Sequence, residues 1–347
     1  MAVAEALSRT DPSCAVTYVG RAGGPEAGIV AEAGLDFVGL TLGSMGSSRL
    51  TATPRLLTRL PLAYAQASRV VSRFRPDVVL ATGGYVSVPV ALVAQRRHIP
   101  LLLLEQNALP GRAVSWLAGR ASVVATSFPE TVQHLVAART VCTGNPVRAE
   151  FADLAAPAIP TEAPPGLLVM GGSQGARHLN DLLLEALPQL MTSRPGMPII
   201  HLTGPGDYSR VVRAAAALQL PHSALYQPLP FSDRMASLLA RVGLVVMRAG
   251  GSSLAEAACL GKPMLLVPYP HAGNHQLANA IPFAEAGAAV VVDDSEMSAA
   301  RLVTEVSGIL GSPDRWARMA EASCGMARPG AAEAVGALLR ELGRGRR

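Results

Sequence analysis

Aromatic residues make up only 4% of this 347-residue sequence, although half of it is apolar. Ala, Leu, Val and Gly dominate the composition. That mixture suits helices packed on buried parallel strands and argues against an antiparallel sandwich. Cysteine is scarce: Cys14, Cys142, Cys259 and Cys324 lie far apart, with no CxxC and no histidine at ligand spacing. This argues against a disulfide framework and against a metal site, and sets a reducing cytoplasm as the expected compartment. No basic n-region, apolar h-region and cleavage site opens the chain, so no signal peptide is expected. The most apolar window, Val78–Ala94, is interrupted by Gly83, Gly84 and Pro89, and reads as strand, turn and helix rather than a membrane span.

Acidic residues are missing from one long stretch. From Phe37 to Pro129 ten arginines stand against only Asp77 and Glu105, and Phe37–Pro76 holds no acid at all. There Arg49, Arg55, Arg59, Arg69, Arg73 and Arg75 alternate with Leu56, Leu57, Leu60, Leu62 and Tyr64. No nucleic-acid motif or aromatic interleaving accompanies the charge, so nucleic acid is not the expected partner. An anionic membrane surface is, where each cation near the headgroups contributes roughly 1 kcal/mol. A solvated arginine-rich face is the plainer alternative.

The length favours two domains. In the first half the predicted strands are 15–20, 37–42, 76–81, 100–104, 121–126 and 140–143, alternating with helices that include an opening one over Met1–Leu7. Residues 151–166 read as a linker, with four prolines between Asp153 and Gly166 and no apolar period. A second βα series begins at Leu167, with strands at 198–203, 225–227, 242–247, 264–268 and 288–292. The expected domains are 1–150 and 167–325, followed by a C-terminal helix and basic tail over 326–347 that packs back on the first domain. Strands alternating with helices imply parallel sheets, one per domain, with ligands at the carboxyl ends of the strands.

Glycine-rich turns fall at those ends. Leu167–Met170 runs into Gly171-Gly172-Ser173-Gln174-Gly175-Ala176 and then an amphipathic helix, a geometry that suits a phosphate, though an ordinary βα turn looks the same. Thr82-Gly83-Gly84-Tyr85 is a second such turn. A third, Arg248-Ala249-Gly250-Gly251-Ser252-Ser253-Leu254-Ala255-Glu256, opens a helix whose Glu256 can accept hydrogen bonds from vicinal ribose hydroxyls or simply complement the helix dipole. His275, Gln276 and Asn279 stand at a loop-to-helix start, where amides suit sugar hydroxyls, caps or core hydrogen bonds.

Taken together and in order, these stretches, with Glu105-Gln106-Asn107 and Gly144-Asn145-Pro146-Val147-Arg148, resemble the MurG family of bacterial N-acetylglucosaminyltransferases over essentially the whole chain. The resemblance implies an α/β GT-B fold, two Rossmann-like domains whose parallel sheets face across a cleft. It implies inverting transfer of GlcNAc, without metal or cofactor, from UDP-GlcNAc to undecaprenyl-diphosphate-linked MurNAc-pentapeptide in peptidoglycan synthesis, by a peripheral protein on the cytoplasmic face of the cell membrane. It places Ser173 at the diphosphate, Glu256 at the ribose, Gly251, Ser252, Ser253, Leu254 and Ala255 along the nucleotide, Ser232 near uracil and Gln276 at the sugar. Asn107 and Arg148 would reach the donor from the first domain and hinge, and Thr82, Gly83, Gly84 and Tyr85 would face the acceptor diphosphate.

One departure bears on activity. Family members open with a strand and a GGTxGH loop, whereas Met1–Leu7 aligns just after that loop, and the His that precedes the Glu-Gln-Asn motif is Leu104 here. A start codon assigned too far downstream is the expected cause, with an unpaired strand edge at the centre of the first sheet as its consequence. Glu105 is then the remaining candidate base, with a structural role as its alternative. Two other functions stay open: another UDP-sugar transferase acting on a lipid acceptor, and a non-catalytic UDP-sugar-binding protein.

Overall fold

A computed structural model describes the chain except Pro25, 43–48, 156–165, Ser173, Pro221, 271–273 and 346–347; for 49–59 it describes the backbone alone. The elements run α1 (Ala2–Thr10), β1 (Thr17–Arg21), α2 (Glu26–Glu32), β2 (Asp36–Leu40), α3 (Arg49–Phe74), β3 (Val79–Ala81), α4 (Ser87–Arg96), β4 (Leu101–Glu105), α5 (Arg112–Leu117), β5 (Val123–Thr126) and β6 (Thr140–Cys142). They continue with α6 (Ala149–Asp153), β7 (Leu167–Met170), α7 (Arg177–Ser193), β8 (Ile199–Leu202), α8 (Tyr208–Ala217), β9 (Tyr226–Leu229), α9 (Met235–Ala240) and β10 (Leu244–Met247). Then follow α10 (Gly251–Cys259), β11 (Met264–Leu266), α11 (His275–Glu285), β12 (Ala289–Val291), α12 (Ala299–Leu310), α13 (Pro313–Met326) and α14 (Ala331–Arg344). Two compact units result: Met1–Ala149 with Gly330–Arg347, and Glu150–Pro329. Residues 151–153, read from sequence as linker, are helical in α6, because Phe151 is fully buried and anchors that turn.

In the first unit β3, β4, β5 and β6 form a parallel sheet in that order. β1 and β2 pair with each other, Thr17 opposite Asp36. The single sheet expected of this half is therefore two, and among the described residues β1 and β3 each pair with one neighbour only. Apolar packing joins the pieces: Val19 and Leu40 share one cluster with Val79, Ala81, Leu101 and Leu103. Ala63, Ala67 and Val71 enter it from α3 at four-residue spacing, leaving Arg69, Arg73, Leu62 and Phe74 exposed. Alternate residues of β4 point the other way, so Leu102 and Leu104 meet Val3 and Leu7 of α1 and Val335, Leu338 and Leu339 of α14. Covered on both faces, β4 reads as an unbroken apolar run.

The second unit is one parallel six-stranded sheet in the order β12-β11-β10-β7-β8-β9. Leu179, Leu183, Leu187 and Leu190 of α7 lie at helical spacing on its core, with Leu302, Val306 and Ile309 of α12 beside them. Each such leucine contributes roughly 1.5–3 kcal/mol in transfer free energy.

Candidate functional site

Strand order decides where a ligand fits the second unit. From β7 the chain moves outward through β8 to β9, then returns to the other side of β7 as β10 and moves outward again. Neighbouring loops that leave adjacent strands in opposite directions open a crevice at their carboxyl ends, and here those are the loops after β7 and β10. Met170 and Met247, paired in register, end the two strands.

The loop after β7 lies backbone against backbone on the turn after β8. Gly175 has φ +77°, and a Cβ on it would stand 2.1 Å from the Thr203 carbonyl oxygen. A Cβ on Gly204, φ +83°, would stand 2.4 Å from the Gln174 carbonyl oxygen. Only glycine fits either position. Ser173 lies outside the described residues. Helix α7 follows from N-cap Ala176 and α10 from N-cap Gly250, and among the described residues no side chain caps either start. Two helix starts with N–H groups unclaimed by caps therefore border the crevice, where the helix dipoles favour an anion.

Beyond Gly251, which opens α10, Ser252 is exposed, Ser253, Ala255 and Glu256 are half-buried, and Leu254 is fully buried in the core. Arg248, 6% exposed, donates from Nη1 to the carbonyls of Val267 (2.9 Å) and Pro268 (3.3 Å) and to Asp294. His178 at the start of α7 meets the same carboxylate at 3.0 Å. Burial alone would raise the Asp294 carboxyl, but the hydrogen bonds from His178 and Arg248 outweigh it and hold it below its ordinary value. Arg248 thus braces the ends of β10 and β11. Asn279, whose amide the sequence leaves open to a sugar, a cap or a core hydrogen bond, is completely buried and donates to the Ala249 carbonyl at 3.1 Å. Its amide serves the core. Gln276, half-buried at the start of α11, accepts from the Tyr269 N–H at 2.9 Å, and Ser232, just past β9, accepts from the Arg234 N–H at 3.1 Å.

In the first unit, Thr82, Gly83, Gly84 and Tyr85 form the turn from β3 to α4, with Tyr85 exposed. Ser87 donates to the Gly84 carbonyl at 2.7 Å. Glu105, 3% exposed at the end of β4, accepts from the Asn107 N–H (2.9 Å), the Asn107 amide (3.0 Å) and the Gly111 N–H (2.8 Å). It folds the 106–111 loop around itself. Arg148 is half-buried immediately before α6. Among the described residues no group of three or more His, Cys, Asp or Glu stands as a metal site, and no helix is long and apolar enough to cross a membrane.

The N- and C-terminal domain patterns of glycosyltransferase family 28 match residues 1–126 and 166–335. The UDP-N-acetylglucosamine--N-acetylmuramyl-(pentapeptide) pyrophosphoryl-undecaprenol N-acetylglucosamine transferase of Anaeromyxobacter sp. (strain K) is 36% identical over all 347 residues, which span 90% of that protein. The chain belongs to the MurG family. A Frankia casuarinae member of the same name is 37% identical over the whole of this chain and 93% of its own length. The crystal structure of Acinetobacter baumannii MurG superposes with a TM-score of 0.74 at 27% identity, covering 98% of this chain and 95% of that one. The fold is accordingly that of the GT-B glycosyltransferases, and MurG-family membership makes the chain a hexosyltransferase. A kitacinnamycin glycosyltransferase, TM-score 0.71 at 18% identity, shares the fold.

Proposed function

We propose that this MurG-family chain transfers GlcNAc from UDP-GlcNAc to the C4 hydroxyl of undecaprenyl-diphosphate-linked MurNAc-pentapeptide, with inversion. The acceptor oxygen attacks the anomeric carbon, the bond to the β-phosphate oxygen breaks, and UDP leaves with the electron pair while the hydroxyl proton passes to a base. The observation that carries this reading is the β7/β10 switch point, bordered by two helix starts that no side chain among the described residues caps. Their N–H groups meet the charge that develops on the leaving diphosphate, already oriented before reaction.

Around that anchor, Ser173 and its loop serve the diphosphate and Glu256 the ribose hydroxyls. Gly251, Ser252, Ser253, Leu254 and Ala255 lie along the nucleotide, with Ser232 near uracil and Gln276 at the sugar. Asn107 and Arg148 are the donor contacts of the first unit, and the Thr82–Tyr85 turn faces the acceptor diphosphate. Glu105 keeps the 106–111 loop in place: a carboxylate committed to three N–H donors has little left for an acceptor hydroxyl. The protein works as a peripheral protein on the cytoplasmic face of the membrane, and the exposed Arg69, Arg73 and Arg75 beside Leu62 and Phe74 support that position.

Radiolabelled UDP-GlcNAc offered with the muramyl lipid tests the reading. Label appearing in that lipid is the expected result. Transfer to diacylglycerol but not to the muramyl lipid, or donor binding without any transfer, overturns it.

A further inference from the structure

Beneath the glycine loop of the second unit runs a chain of buried polar groups that no step of the transfer uses directly. His201 sits in the middle of β8, fully buried between Ile200 and Leu202. Its Nδ1 lies 2.7 Å from the Tyr226 hydroxyl on β9, and its Nε2 lies 2.9 Å from the Asn180 Oδ1 in the first turns of α7. Asn180 Nδ2 stands 2.9 Å from the Thr203 carbonyl oxygen and 2.7 Å from the Asp207 carboxylate. Arg210 grips Asp207 with two bonds (2.6 and 2.7 Å) and also reaches Asp181 at 2.6 Å.

With the imidazole neutral, one assignment of protons satisfies all of these contacts. Thr203 O and Asp207 are both acceptors, so the Asn180 NH₂ faces them and its Oδ1 faces His201. His201 Nε2 therefore carries the hydrogen, Nδ1 is bare, and the Tyr226 hydroxyl donates to it. The chain thus has a direction, from Tyr226 through His201 and Asn180 to the Thr203 carbonyl.

That carbonyl is the surface on which Gly175 lies, and the adjoining Gly204 lies on Gln174. Asn180 belongs to the helix whose first N–H groups border the crevice. One side chain therefore ties the helix start to the floor of the loop. A leucine of similar volume would fill the same space yet leave the Thr203 carbonyl free to turn.

We infer that His201 and Asn180 are positioning residues for the diphosphate, holding the Thr203–Gly204 turn as a fixed seat under Gln174–Gly175 and at a set distance from the start of α7. The inference rests on the reading of the second unit as the donor unit. Their role is in shaping the loop, not in touching the substrate.

Calorimetry with UDP as the probe, alongside steady-state kinetics and melting curves, tests it on the full chain. Asn180→Leu and His201→Phe should each weaken UDP binding and raise the donor KM by about ten-fold or more, with kcat at saturating donor within about three-fold and the acceptor KM unchanged. His201→Gln, which keeps an N–H for Asn180 Oδ1, should recover most of the affinity. A purely structural role predicts lower melting temperatures with unchanged UDP affinity in the folded variants, and that result overturns the positioning role. Should those variants fail to fold, Tyr226→Phe removes only the donor to Nδ1 and should weaken UDP binding about two- to five-fold; unchanged affinity there has the same overturning force. A wild-type chain that does not bind UDP overturns the donor reading itself.

Discussion

Asn279 donates to the Ala249 carbonyl, 3.1 Å away, and so ties helix α11 to the turn from which α10 begins. Cutting this tie in Asn279→Ala strands a buried carbonyl, which costs about 1–3 kcal/mol. Urea unfolding should show that loss, and the donor KM should rise because the start of α10 is no longer held. An unchanged unfolding midpoint would refute the brace.

Glu256 gives a cleaner probe of the nucleotide, because it is half-buried on α10 and not part of the core. Glu256→Ala should raise the donor KM about 10- to 100-fold, the loss expected for hydrogen bonds to a charged acceptor. The acceptor KM should stay as it is. Replacing UDP-GlcNAc by its 2′-deoxy-uridine analogue should then cost the variant much less than it costs the wild type.

Glu105 distinguishes a proton acceptor from a loop support. Glu105→Gln keeps a carbonyl oxygen for part of the 106–111 loop, so activity should fall about ten-fold or less while the acidic limb of the kcat–pH profile stays in place. Disappearance of that limb would make Glu105 the base after all.

The Arg248–Asp294 pair is largely out of water, with side-chain exposures of 6% and 17%. Removing one partner of such a pair leaves a buried charge uncompensated and costs about 3–5 kcal/mol. Asp294→Ala should therefore destabilise the second unit strongly in denaturant titrations. Asp294→Asn, which keeps an acceptor, should fall between it and the wild type.

His201 makes stability depend on acidity. Burial lowers its pKa to about 3, from an ordinary value of 6.5. The unfolded chain therefore binds more protons between those values, so the histidine's contribution is complete above pH 6.5 and is lost as the pH falls toward 3. The slope attributable to this group approaches about 1.4 kcal/mol per pH unit inside that window. Unfolding free energies measured from pH 7 to 4 should show it, and His201→Phe should flatten the curve.

Much of this architecture was legible in the residues. Leu101–Leu104 and Leu244–Met247 are covered on both faces and so appear as plain apolar runs, while the glycine turns announce themselves by composition. The turns at Gly171 and Gly250, each leading from a strand into a helix, stand out for that reason. For Asn279 the core hydrogen bond is one of the alternatives the residues leave open, because an amide looks the same whether it meets a sugar or a backbone carbonyl, and packing selects it. The His201–Asn180 pair was missed. Its members are 21 residues apart and meet only because β7 and β8 are neighbours, although a lone histidine inside Ile199-Ile200-His201-Leu202 was a signal to follow. The division of the first unit's strands into two sheets depends on pairing, about which periodicity says nothing.

Helix α14 supplies Val335, Leu338 and Leu339 to the apolar cluster of the first unit, yet it follows the whole of the second unit in the chain. At the usual pace of translation, roughly 10–40 s separate the emergence of β5 from that of α14. For that interval Leu102, Leu104, Val123 and Ala125 lack the part of their cover that α14 supplies, while the intervening unit can already close on itself. The half of the protein that is begun first is finished last, and a nascent chain stalled before Gly330 would expose the sticky face that chaperones bind.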